Sequence, residues 1–171
     1  MFKLTSDPTV ISGATFSPGS RQWRYQLWRQ WSDGDKWIAF IGLNPSTADE
    51  RTNDPTVTRC IRYAKDWCYD GMFMLNLFGL RSTDPKLLYR VPDPIGPDND
   101  HWIVETIYSE QVREVVLCWG NHGKHLNRFK EVWDLVRSVP GQKMRWFGLT
   151  KENQPKHPLY LRRDAKLERG R

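Results

Sequence analysis

Six consecutive residues without a polar side chain, Trp37-Ile38-Ala39-Phe40-Ile41-Gly42, run into Leu43-Asn44-Pro45-Ser46-Thr47-Ala48-Asp49-Glu50. A strand that is apolar on both faces must be covered on both faces. The run therefore predicts a central strand between helical layers. Pro45 lacks an amide donor and pushes Asn44 out of helical dihedrals, which ends the strand. The Asn44 side chain then sits at the carboxyl end of that strand, the edge where open α/β sheets bind ligands. An Asn-Pro turn that merely stops a strand is the competing reading.

The rest of the chain alternates in the same way. Residues 21–31 carry aromatics in near alternation, and Asp33-Gly34 supplies a turn before residues 36–43. Together these predict a β-hairpin. Residues 1–13 read as irregular. Asp54 as N-cap and Pro55 as first helical residue open a helix whose apolar positions Val57, Ile61, Ala64 and Trp67 keep helical spacing; Asp70-Gly71 ends it. Residues 72–78 read as a buried strand with one polar residue, Asn76. Thr83-Asp84-Pro85 starts another helix, a Pro-rich loop follows, and a helix runs from about 99 to 112. Residues 114–119 form a strand ending in Gly120-Asn121-His122-Gly123, a helix covers about 125–138, and Lys143 to Leu149 is the last sheet strand. Strands alternating with helices predict a three-layer α/β/α sandwich. Its central sheet is mainly parallel and four-stranded, with the N-terminal β-hairpin as an extension. There is no internal repeat and no interdomain linker, so one domain is expected over residues 1–161.

The length of 171 residues suits one domain with its own core. The net charge is +6, and half of it belongs to a basic C-terminal tail, residues 162–171, with five basic and two acidic residues. That balance permits a nucleic-acid partner without demanding one. No apolar run spans a membrane and no secretory leader is visible, so a cytoplasmic protein is expected. The three cysteines, Cys60, Cys68 and Cys118, lie in apolar contexts and read as buried free thiols. No Cys/His spacing suits zinc or iron–sulfur, and neither a metal nor another cofactor is expected. Nothing points to an obligate protein partner.

Strand after strand delivers a polar side chain at its carboxyl end: Asn44, Asn76, then Asn121 with His122. His157 follows the last strand. In a parallel sheet those ends share one edge, so the groups are expected to converge. An Asn within Met-Leu-Asn-Leu-Phe must be hydrogen-bonded if buried.

Four of these segments resemble the uracil-DNA glycosylase superfamily in order. Gly42-Leu43-Asn44-Pro45-Ser46 resembles the first motif of its mismatch-specific branch. Leu75-Asn76-Leu77 resembles the strand whose Asn reads the base edge. Val115 to His122 resembles the strand and turn that read LLWG in classical members, and His157-Pro158-Leu159 the loop that reaches a flipped nucleotide. The whole chain is also similar to a nearer family, labelled domain of unknown function 1643. That pattern lies in Leu43 to Asp49, in Asn53-Asp54-Pro55-Thr56 with Arg59, in Asn76-Leu77-Phe78 with Arg81, and in His157 to Leu161.

The first resemblance implies a DNA glycosylase-like hydrolase acting on a modified or deaminated base by base flipping. Asn44 would orient water and His157 would stabilise the departing base. Asp49 is the candidate general base, since an amide cannot accept a proton. Ser46, Asn76, Arg81, Asn121, His122 and Tyr160 complete the expected substrate-binding set, and Leu159, Tyr160 or Leu161 would supply a wedge into the duplex. Two other readings stay open. One is a non-catalytic nucleic-acid-binding module, the other an enzyme on free nucleosides or nucleotides.

Overall fold

The computed structural model describes residues 11–169, the last of them by its backbone alone. Its strands are β1 (Ile11–Phe16), β2 (Arg24–Gln30), β3 (Trp37–Gly42), β4 (Gly71–Asn76), β5 (Val112–Leu117), β6 (Met144–Trp146) and β7 (Glu168–Arg169). Its helices are α1 (Pro55–Asp66), α2 (Asn99–Ile107) and α3 (Arg128–Ser138), with 3-10 turns at 85–89, 121–127 and 158–160. The class is α/β, and the strands form one mixed sheet in the order β1-β2-β4-β3-β5-β6, with the two-residue β7 at its edge. β4, β3, β5 and β6 are parallel neighbours, while β1–β2, β2–β4 and β6–β7 are antiparallel.

All six residues of β3 are buried. Its alternation splits them between two cores. Ala39 and Ile41 join Leu75, Val115 and Leu117 against Ile103 and Ile107 of α2 and Val132 and Val136 of α3. Ile38 and Phe40 join Met72, Met74 and Val116 against Val57, Cys60 and Ala64 of α1. Asp54 caps α1 by accepting from the Val57 amide at 2.8 Å.

The expected hairpin between residues 21–31 and 36–43 is not formed. β2 and β3 are both neighbours of β4, which lies between them. The reason lies in the connection, which folds around Asp70 instead of closing on itself. The amides of Trp31 and Ser32 donate to the Asp70 carbonyl, and the Asp70 amide donates to Lys36 O. The Asp70 carboxylate also accepts from the Lys36 amide at 3.0 Å. Gly71 begins β4 opposite Trp37, and a Cβ there would meet the indole at 2.7 Å, so only glycine fits beneath that ring. β2 instead makes its hairpin with β1, whose residues 11–13 read as irregular in the sequence. Residues 1–10 lie outside the described range.

Three other boundaries differ from expectation. α2 ends at Ile107 and β5 begins at Val112, because Val112 belongs to the core. α3 begins at Arg128, after two left-handed residues, Leu126 and Asn127, break the preceding turn. Cys68 is exposed rather than buried, because the chain leaves α1 through it with φ 59°. Cys60 and Cys118 are buried as expected. Beyond residue 161, Ala165 and Leu167 pack on the α1-side core. No helix among the described residues is long and apolar enough to cross a membrane.

Candidate functional site

Past their last ladder bonds, the chains leaving β3 and β4 keep running side by side. Leu77 N donates to Gly42 O, Phe78 N to Leu43 O, and Ser82 N to Pro45 O, all within 2.9 Å. Asn44 sits in that seam. Its Nδ2 donates to the carbonyls of Pro45 at 3.0 Å and Ser82 at 2.9 Å, with a longer contact to Leu80 at 3.4 Å. The amide nitrogen is therefore spent on the scaffold. Oδ1 has no partner among the described residues and is the group left for a ligand.

Two residues beyond the end of β5 lies Trp119, buried and bonded through Nε1 to Gln154 Oε1 at 2.9 Å. Gly120 follows with φ 72°, a conformation that favours glycine, and its amide donates to Pro155 O at 2.8 Å. Asn121 is fully engaged: Nδ2 donates to Glu152 at 2.7 Å and Oδ1 accepts from the Thr150 hydroxyl at 2.6 Å. These bonds tie the loop after β5 to the turn after β6, which delivers His157. The Leu159 amide donates to His157 Nδ1 at 3.3 Å. Burial pushes the imidazole below its ordinary value of 6.5, against the pull of Asp54. The ring is thus neutral near pH 7, with its proton on Nε2, which makes that atom a hydrogen-bond donor.

These loops enclose a cavity of about 740 Å³ at the carboxyl ends of β3, β5 and β6. Asn44, Ser46, Asn121, His122, His157 and Tyr160 all line it. His122 also lies 3.0 Å, through Nδ1, from the Tyr89 hydroxyl. Tyr160, 85% exposed, stands at the rim with its ring 5.5 Å from that of His157. Sequence reasoning did not single out Thr56, Ser82, Thr83 and Lys156, which line it too. Thr83 reads only as the start of a helix, and Ser82 carries no reading. The signal that marks them is position, since they follow β4 on the same edge.

Three expected residues are not among the lining. Asn76 is 1% exposed, and its Oδ1 accepts from buried Arg24 at 3.1 Å. Arg81 packs its guanidinium 5.0 Å from the Phe16 ring centroid. Asp49 Oδ1 accepts from the amides of Arg51 at 2.9 Å and Thr52 at 2.7 Å. Partial burial works to raise the Asp49 pKa. Those amides, the Thr52 hydroxyl and the charge of Arg81 outweigh it, so the carboxyl sits below its ordinary value. Glu50 is matched by Arg21 in a two-pronged ion pair at 2.7 Å. No lining residue described here is acidic, and no cluster of metal-ligating side chains occurs among the described residues.

The fold is that of an α/β protein with a cavity at the carboxyl edge of its parallel strands. The chain belongs to the family described as protein of unknown function (DUF1643), whose model matches residues 24–159. No curated protein and no solved structure matches it, and nothing in these comparisons links it to the uracil-DNA glycosylase superfamily.

Proposed function

We propose that the cavity takes a nucleobase and that the protein hydrolyses the N-glycosidic bond of that base in nucleic acid. What carries the reading is one pairing: Asn44, with only Oδ1 free, and His157, neutral with Nε2–H as a donor, line the same cavity. In such a hydrolysis the C–N bond breaks with its electrons going to the base. The sugar gains oxocarbenium character, and water adds to the anomeric carbon. Asn44 Oδ1 accepts a hydrogen bond from that water and holds it in line, and the proton the water loses after adding to the sugar passes to the departed base anion. His157 Nε2–H donates to the departing base and spreads its charge. An electron-poor sugar centre captures even un-ionised water, so the absence of a carboxylate from the lining fits this chemistry. Lys156 and the basic segment that follows supply charge for a phosphate backbone.

The acid-free lining also favours a second reading, a nucleobase-binding module without hydrolysis. Mass-spectrometric assay of base release from DNA carrying normal, deaminated and modified bases separates the two. Release from one substrate class, lost in both Asn44→Ala and His157→Ala, is the expected result. Salt-sensitive binding with no release from any substrate moves the assignment to the binding module. Neither release nor binding removes the nucleic-acid reading altogether.

A further inference from the structure

A second cleft, of about 460 Å³, shares a wall with the main cavity: Trp119 lines both. The turn after β6 also serves the two. Leu149 and Pro155 line the second cleft, while Thr150, Lys156 and His157 line the first. The floor of the second cleft is aromatic. Trp133 of α3 and Trp146 of β6 lie with ring centroids 5.6 Å apart and planes inclined at 34°, and Phe129 of α3 joins them. Val132 and Val136 of the same helix are wholly buried, but Phe129 and Trp133 are only half-buried. Lys130 and Arg137, both exposed, stand at the rim and form no ion pair with any described residue; Asp134 is the single acid in the lining.

We propose that this cleft is a second nucleotide subsite, which stacks an unpaired base of single-stranded nucleic acid on Trp133 and Phe129 and holds the adjoining phosphate with Lys130 and Arg137. The proposal rests on the reading of the main cavity as a nucleobase site and adds that the substrate is a strand rather than a mononucleotide. Aromatic faces accept any base, which suits a subsite that holds the strand without reading it. Two cations without an ion-pair partner among the described residues, one of them, Lys130, with Nζ 5.8 Å from the Phe129 ring centroid, stand beside a half-open aromatic floor and suit an aromatic group on a polyanion. A purely apolar partner would gain nothing from them and would partly desolvate them. A flexible single strand can pass around the shared turn and present one nucleotide to each cleft. Bases within a duplex are stacked and paired and must first be released.

The test uses fluorescence anisotropy with a labelled octathymidylate and a labelled abasic strand of equal length, at low and moderate salt. Thymidine monophosphate serves as competitor. The octathymidylate is expected to bind roughly tenfold tighter than the abasic strand, the order that stacking one base contributes. Trp133→Leu is expected to abolish most of that gain. Lys130→Glu combined with Arg137→Glu should weaken both strands and flatten the salt dependence, and these exposed substitutions do not threaten folding. Equal binding of the two strands overturns the proposal, as does a gain that survives Trp133→Leu in a folded variant or a salt dependence that survives the double charge reversal. His157→Ala, which removes the donor to the base in the main cavity, separates the two sites. If it weakens both octathymidylate and monophosphate while the cleft variants are silent, the cleft is overturned and the main site stands. If it is silent while the cleft variants act, the cleft stands and the main-cavity reading falls.

Discussion

Asn44 and Asp49 stand five residues apart, and the chain gives them different work. Asn44 is fixed by its own donors, so its free carbonyl oxygen keeps one direction, which is what water positioning needs. Asp49 spends its carboxylate on two backbone amides, which fold the 49–52 turn back on itself. Its pKa below the ordinary range makes it a weak proton acceptor, and it is not part of the cavity lining. Asp49→Asn retains an acceptor oxygen, so base release should stay within about twofold of the parent; loss of a general base would lower it about a hundredfold or more. Asp49→Ala removes the acceptor as well and should cost about 1 kcal/mol of stability, the usual effect of losing such a cap. Single-turnover rates and urea midpoints on the two variants check both halves.

Two buried arginines of β2 hold the loop that carries this turn. Arg24 donates to Ala48 O at 3.1 Å as well as to Asn76, and burial lowers its pKa to about 10. Arg29 donates five hydrogen bonds, among them Nη2 to Asp49 O at 2.6 Å and Nε to Asn53 Oδ1 at 2.9 Å. Lysine keeps the charge but has no planar fork, so Arg29→Lys leaves carbonyls unpaired in the interior. A loss of about 2–4 kcal/mol is expected, with faster hydrogen exchange at the amides of Arg51 and Thr52; exchange by mass spectrometry and urea melts measure it. The sequence shows why such ties escape reading. β3 was legible because six apolar residues admit one environment, and α1 because Asp54-Pro55 is a local cap. Asn44 and His157 were legible because each follows a strand. The partners of Arg24, Arg29 and Asp70 lie on other elements, and no local pattern marks them. Reading Asp33-Gly34 as a hairpin turn failed for the same reason, since Asp70 reorganises that connection from a distance of more than thirty residues. Asn76 reads as a ligand contact until the buried Arg24 beneath it is seen.

At the scale of the whole molecule, the sheet separates two cores, and the loop bearing His157 joins the site to the α1 side. Leu161 packs on that core, and the Tyr63 hydroxyl of α1 donates to Arg162 O at 2.5 Å. His157 Nδ1 can accept from the Leu159 amide only while the ring is neutral. Protonation therefore costs the loop a hydrogen bond and sets a charge in a largely buried place. The pKa in the folded state lies below 6.5, so the unfolded chain binds more protons in the window just under that value. Stability is then full above pH 6.5 and declines as pH falls through the folded-state value. The carboxylates of Asp49, Asp70 and Asp164, held below an ordinary value of 3.8 by their partners, lose their contribution only at more acidic pH. Urea midpoints measured from pH 8 to pH 5 should fall in the lower half of that range for the parent. They should stay flatter in His157→Gln, which has no titrating ring. Ligand binding should weaken over the same window, because the protonated ring abandons the Leu159 contact that orients it. A parent profile as flat as that of the variant would show that His157 is not held neutral by the fold, and would remove the basis for its Nε2–H donor role.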